Sequence, residues 1–150
     1  MDATDKKLLE LLQQDTKKTT KELSLKLNLS VTAVYERIKK LEREGFIEKY
    51  VALLNRNKIN KGFVVFCHLK LLQHTKEFIN QFEKEVVKLT EVLECFHVSG
   101  DYDYILKICL KDMEEYREFM VTKLTTLQHI GSTHSTFMIG EVKNTTAFTI

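Results

Sequence analysis

The chain has 150 residues, 43% of them hydrophobic and 29% charged, with no proline and a formal net charge of +2. That composition is globular and free of low-complexity tracts, and a folded chain of this length hides roughly 68–70% of the surface its unfolded form exposes. No apolar run approaches the roughly 20 residues that span a bilayer, and "MDATDKKLLELLQQ" lacks the pattern of a signal peptide, so the expectation is a cytoplasmic protein with no membrane partner.

The charge is uneven. Residues 1–62 carry 14 Lys and Arg against 9 Asp and Glu, whereas residues 63–150 carry 9 against 12. A basic front half attached to an acidic back half points to two modules, the first of them meeting a polyanion.

The front half reads as three short helices. In "TDKKLLELLQQD", Leu8, Leu9, Leu11 and Leu12 form an apolar stripe behind Thr4 or Asp5 as cap. In "TTKELSLKLNLS", Thr19 with Glu22 three residues on is a capping box, and Asn28 favours a turn. Ser30 then caps "SVTAVYERIKKLEREG", with Val31, Val34, Ile38 and Leu41 at helical spacing and Gly45 as the stop. Two helices joined by a tight turn, with a third before them, make a helix-turn-helix unit. The apolar stripe of the last helix leaves Thr32, Ala33, Glu36, Arg37 and Lys40 facing outward. Ser30 and Tyr35 complete the candidate DNA-binding set. Short residues near a helix N-terminus approach base edges, while Arg and Lys further along reach phosphates or guanine.

The back half alternates differently. "FVVFCHLKL" sets Phe63, Val65, Cys67 and Leu69 against Val64, Phe66, His68 and Lys70, a strand with one better-buried face. "TKEFINQFEKEVVKL" places Phe78, Ile79, Phe82, Val86 and Leu89 on one helical face. "VLECFHV" and "YILKICL" are strands on either side of a turn at Gly100. "DMEEYREFMVTKLTTL" is a second helix capped by Asp112, and "STFMIGEV" closes as a strand. The order βαββαβ gives an α+β ferredoxin-like sandwich with both helices on one face of an antiparallel sheet. The other face is left open, exposing Val64, Phe66 and His68 or their neighbours, and an open apolar face argues for a homodimer.

The turn "SGDYD" needs more than a hairpin. Gly100 supplies a positive φ and Asp101 a side-chain turn contact, but neither accounts for Asp103 where the next strand already begins. A free amino acid needs an acceptor carboxylate beside backbone N–H donors, and a glycine-bearing turn with aspartates can supply both.

Taken in order, the Asp2-x-x-Asp5 spacing of Met1–Leu9, "ELSLKLNLSVTAVYERIKKLEREGFIEKYVALLN" and "SGDYDYILKI" resemble the Lrp/AsnC family of feast/famine transcription regulators over nearly the whole chain. One departure is Val31, where many members have proline at the first helical position; its loss costs little. The resemblance implies a winged-type helix-turn-helix DNA-binding domain at 1–50, a connecting strand and hinge at 51–62, and an effector-binding and oligomerisation domain at 63–150. It implies an amino-acid effector at a junction between dimers. Ser99, Gly100, Asp101, Tyr102 and Asp103 would form one wall, and Thr133, Ser135, Thr136 and Met138 the other. It further implies double-stranded DNA as partner and homodimers assembling to an octamer.

No cofactor and no metal are expected. Cys67, Cys95 and Cys109 are too scattered for a disulfide framework, and His97, His129 and His134 have no ligand spacing. No phosphate loop, dinucleotide fingerprint or nucleophilic triad suggests an enzyme. The rivals to an effector-responsive regulator are an architectural DNA-binding protein with no small-molecule input and a ligand-binding subunit that regulates an enzyme.

Overall fold

The computed structural model describes all residues, Met1–Ile150, as two compact units. The first comprises Met1–Leu53 together with Val142–Ile150, and the second comprises Leu54–Glu141. The last nine residues group with the helical unit. No helix is long and apolar enough to cross a membrane.

In the first unit, α1 (Ala3–Gln14), α2 (Thr20–Leu27) and α3 (Val31–Arg43) enclose a core of Leu8, Leu9, Leu12, Leu23, Val34 and Leu41. The cap of α1 is neither Thr4 nor Asp5 but Asp2, whose side chain accepts from the Asp5 N–H while Asp5 reaches back to the Asp2 N–H. Thr19 and Glu22 form the expected box on α2. Asn28 adopts the left-handed conformation (φ 53°) that turns α2 into α3, an angle Asn tolerates because its short polar side chain bonds locally. Ser30 caps α3 through the Ala33 N–H, and Gly45 follows its end at φ 77°. The expected connecting strand at 51–62 is absent: residues 47–55 belong to no strand or helix, and 56–60 form a turn. A strand is stable only against a partner, and this one has none within the chain.

The second unit is a four-stranded antiparallel sheet of β1 (Phe63–Leu71), β2 (Val92–His97), β3 (Tyr104–Leu110) and β4 (Ile130–Phe137), in the order β2-β3-β1-β4. Helices α4 (Lys76–Val86) and α5 (Met113–Thr122) complete the βαββαβ arrangement. Thr75 and Asp112 cap the two helices. Val65, Cys67 and Leu69 of β1 and Leu106 and Ile108 of β3 pack with Phe82, Val86, Tyr116 and Phe119 from the helices. Strand β4 differs from the expected "STFMIGEV": it begins at Ile130 and ends at Phe137, five residues earlier at each end. On the opposite face, Phe66 and His68 are half-buried, but Val64 is only 2% exposed.

Candidate DNA interface and effector corner

Helix α3 presents its outer face between the buried Val34 and Leu41. Thr32, Tyr35 and Glu36 are exposed, Ala33 and Lys40 are half-buried, and the exposed Ser30 sits at the N-terminus. Lys39, which the sequence reading omitted, shares this face: its ammonium lies 5.8 Å from the centre of the Tyr35 ring and 2.7 Å from Glu42. Its place one turn past Tyr35 was the available signal. Arg37 departs from the expected set. Its Nη1 donates to Asp2 at 2.7 Å and to Asp5 at 2.5 Å, so the guanidinium points back at α1 rather than outward. The physical reason is Asp5, which is fully buried and needs a cationic donor. Burial works against ionisation of Asp5, but the Asp2 N–H and the Arg37 guanidinium together hold its carboxyl below the usual carboxylate range.

The second candidate site is the corner between β2 and β3. Ser99, Gly100 and Asp101 are exposed, with Gly100 at φ 128°, a conformation that favours glycine. Asp103 is built into the fold. Its Oδ2 accepts from the Leu71 N–H at 2.8 Å, its Oδ1 lies 2.7 Å from His74 Nε2, and its own N–H donates to the Leu69 carbonyl at 2.8 Å. These three contacts fasten the corner to the end of β1. Burial pushes the Asp103 carboxyl up, yet the Leu71 N–H and the His74 ring outweigh it and leave the group below its ordinary value. Asp103 thus has a structural duty that accounts for its position.

Tyr102 turns onto the open sheet face. Its ring stands 5.1 Å from that of His68 and 6.1 Å from that of His134, and Lys70 Nζ lies 5.7 Å from its centre. His68 and His134 are direct cross-strand partners on β1 and β4. The sequence places His68 on the open face but does not reveal its meeting with Tyr102 and His134, because residues 66 positions apart share no local pattern.

The second wall does not form as one surface. Side chains of successive strand residues alternate between faces, and β4 runs straight through this set. Ser135 points to the helix side, where its hydroxyl meets Tyr116 Oη and where it is paired with Cys67. Thr133 pairs with the buried Leu69 on that same side, whereas Thr136 pairs with Phe66 on the open face. Met138 lies beyond the strand, its N–H bonded to the Val64 carbonyl. Of the three strand residues, only Thr136 therefore shares a face with the Tyr102 ring. Burial drives the Cys67 thiol up to about 11 and Cys95 likewise to about 11, so neither is a nucleophile at neutral pH.

Comparison with known proteins covers both units. Residues 64–148 match the family model of the Lrp/AsnC ligand binding domain, and residues 1–48 match that of a winged helix-turn-helix DNA-binding domain. The leucine-responsive regulatory protein of Escherichia coli K12 is 37% identical over 150 residues, covering 100% of this chain and 92% of that protein. Among solved structures, a transcriptional regulator of Neisseria meningitidis in complex with L-Met superposes with a TM-score of 0.94 at 32% identity, covering 99% of this chain and 96% of that one. An AsnC family transcriptional regulator from Agrobacterium tumefaciens gives 0.94 at 33%, with the same coverage.

Proposed function

Since the chain belongs to the Lrp/AsnC family of DNA-binding transcription regulators, not enzymes, we propose that it binds operator DNA through α3 and answers to a free amino acid at the β2–β3 corner. The observation that carries this reading is the pairing of a capped helix-turn-helix unit with a ligand-binding domain in one chain. The L-Met complex of the Neisseria relative supports the effector class.

On the DNA side, the proposed contacts are Ser30, Thr32, Ala33, Tyr35, Glu36 and Lys40, joined by Lys39. Helix-turn-helix proteins reach base edges with the first turns of the second helix, which here carry Thr32 and Ala33. Arg37 leaves the set of direct contacts. On the effector side, Ser99, Gly100 and Asp101 offer exposed backbone N–H groups and a carboxylate to the two ends of an amino acid. Tyr102 adds an aromatic wall and Asp103 holds the corner in shape. Thr136 and Met138 remain candidate contacts, while Thr133 and Ser135 are proposed as sheet-packing residues.

The open sheet face, with Phe66, Ile105 and the half-exposed Phe96, supports pairing of two chains. Two-fold pairing would present two copies of α3 to half-sites about one helical turn apart, roughly 34–36 Å or a multiple of it. Assembly of dimers to an octamer is the higher-order form this reading carries.

A thermal-shift panel of the full chain with each of the twenty amino acids at millimolar concentration tests the effector. A ligand bound only by the folded state stabilises it by about 2.7 kcal/mol at one hundred times its Kd. At least one amino acid raises the melting temperature, and an Asp101→Ala variant loses that rise. A panel with no shift would remove the effector and leave an architectural DNA-binding protein.

A further inference from the structure

Asp5 is the one charged residue that the fold buries completely, and besides closing the capping box of α1 it reaches across to α3. Its carboxylate accepts from two groups, and the Asp2 carboxylate completes the set. Oδ2 accepts from the Asp2 N–H at 3.1 Å, and Oδ1 accepts from Arg37 Nη1 at 2.5 Å; Asp2 accepts from the same Nη1 at 2.7 Å and from the Asp5 N–H at 2.8 Å. The first turn of α1 and the middle of α3 are thereby joined by a closed set of hydrogen bonds across 32 and 35 residues of sequence.

The rest of the α3 anchorage is aliphatic. Val34 and Leu41 are fully buried, with Ile38 packed alongside them; such contacts select the face that is buried, but each is non-directional and constrains the roll of the helix less sharply than a hydrogen bond. A charge-assisted hydrogen bond is directional. Side-chain tips lie about 5–6 Å from a helix axis, so a roll of about 10° moves them by about 1 Å, enough to take a base contact out of hydrogen-bonding range. Arg37 lies one residue beyond Glu36 and two beyond Tyr35, on the side of α3 turned to α1 while those two face outward.

We infer that Asp2, Asp5 and Arg37 are positioning residues that fix the roll of α3, so that base discrimination by its outer face depends on two carboxylates of α1 that never meet DNA. This rests on the reading of α3 as the DNA-contacting helix. The pairing favours it further: Arg37 Nη1 is held by two carboxylates, and only 1% of the Asp5 side chain and 29% of the Arg37 side chain are exposed.

The test compares the full-length protein and its variants on two duplexes of equal length, one selected by the wild-type protein from a random pool and one scrambled, across a salt series. Concentrations are normalised to folded protein by circular dichroism. Asp5→Asn lowers the ratio of the two affinities about tenfold, the size of one lost base contact, and leaves the salt slope unchanged. Asp2→Asn, at a half-exposed position that the fold tolerates, lowers it less and in the same direction. Arg37→Lys, which retains a cationic donor for Asp5, restores most of the ratio relative to Arg37→Gln. Were Arg37 a phosphate contact instead, Arg37→Gln would reduce the salt slope and Asp5→Asn would keep or raise affinity; either result overturns the inference. Equal losses on both duplexes would reduce the set to plain fold stability and overturn it too. Failure of the pool to yield any preferred duplex would instead defeat base reading by α3, a distinct outcome that removes the premise.

Discussion

Asp103, proposed to shape the effector corner, serves the fold first. Its carboxylate accepts the Leu71 N–H and faces His74, so the corner is clamped to β1 before any ligand arrives. Removing the charge in Asp103→Asn weakens both contacts and costs about 1–2 kcal/mol, or about 3–6 °C in melting temperature. Because the carboxyl is held below its ordinary value in the folded state, its stabilisation is complete above the unfolded-chain value near pH 4 and is lost as pH falls through the lower, folded one. Thermal melts from pH 7 to pH 2.5 check this: the gap between wild type and variant is full at neutral pH and closes at the acid end. A gap unchanged at pH 2.5 would contradict the ionised clamp. At this scale the sequence was only partly legible. That Asp103 exceeds what a turn needs is visible in "SGDYD"; that its partners are Leu71 and His74, some 30 residues earlier, is not. Arg37 shows the same limit, since helical spacing cannot tell which way a long side chain on the border of an apolar stripe will turn.

At the scale of elements, legibility followed the strength of the local signal. Strands β1 and β3 and the caps Thr19, Ser30 and Asp112 emerge where the sequence predicts them, because strict alternation and short capping spacings are local properties. Strand β4 was misplaced because "IGSTHSTF" is small and polar; it is an edge strand whose existence is dictated by the hydrogen bonds that β1 has to offer rather than by apolar periodicity. The N-cap of α1 was missed because Asp takes the place of the Glu or Gln usual at the third position of a capping box. The sheet itself carries a prediction. Phe66 lies on the face no helix covers, paired with Lys107 and Thr136. Phe66→Glu places a charge in the proposed dimer interface and shifts sedimentation from dimer to monomer, with the α-helical circular dichroism retained. A variant that stays dimeric would move the interface elsewhere on the chain.

For the molecule as a whole, two units with different chemistry are joined in one chain: a helical unit whose α3 offers cations and short polar groups, and a sheet unit whose corner offers a carboxylate and exposed amides. The basic front and acidic back visible in the sequence anticipate this division, but not the return of residues 142–150 to the helical unit, which no local pattern announces. Under the proposed function, regulation is linkage: an amino acid that prefers one state of the protein changes DNA affinity by its differential affinity, typically ~1–3 kcal/mol, or roughly 5–150-fold. The most direct test is fluorescence anisotropy of the selected duplex titrated with the full chain, with and without each amino acid at millimolar concentration and at fixed salt. The account predicts that at least one amino acid shifts the apparent Kd by fivefold or more, and that the same amino acid raises the melting temperature of the free protein. Tight, salt-dependent DNA binding that none of the twenty amino acids alters would contradict it.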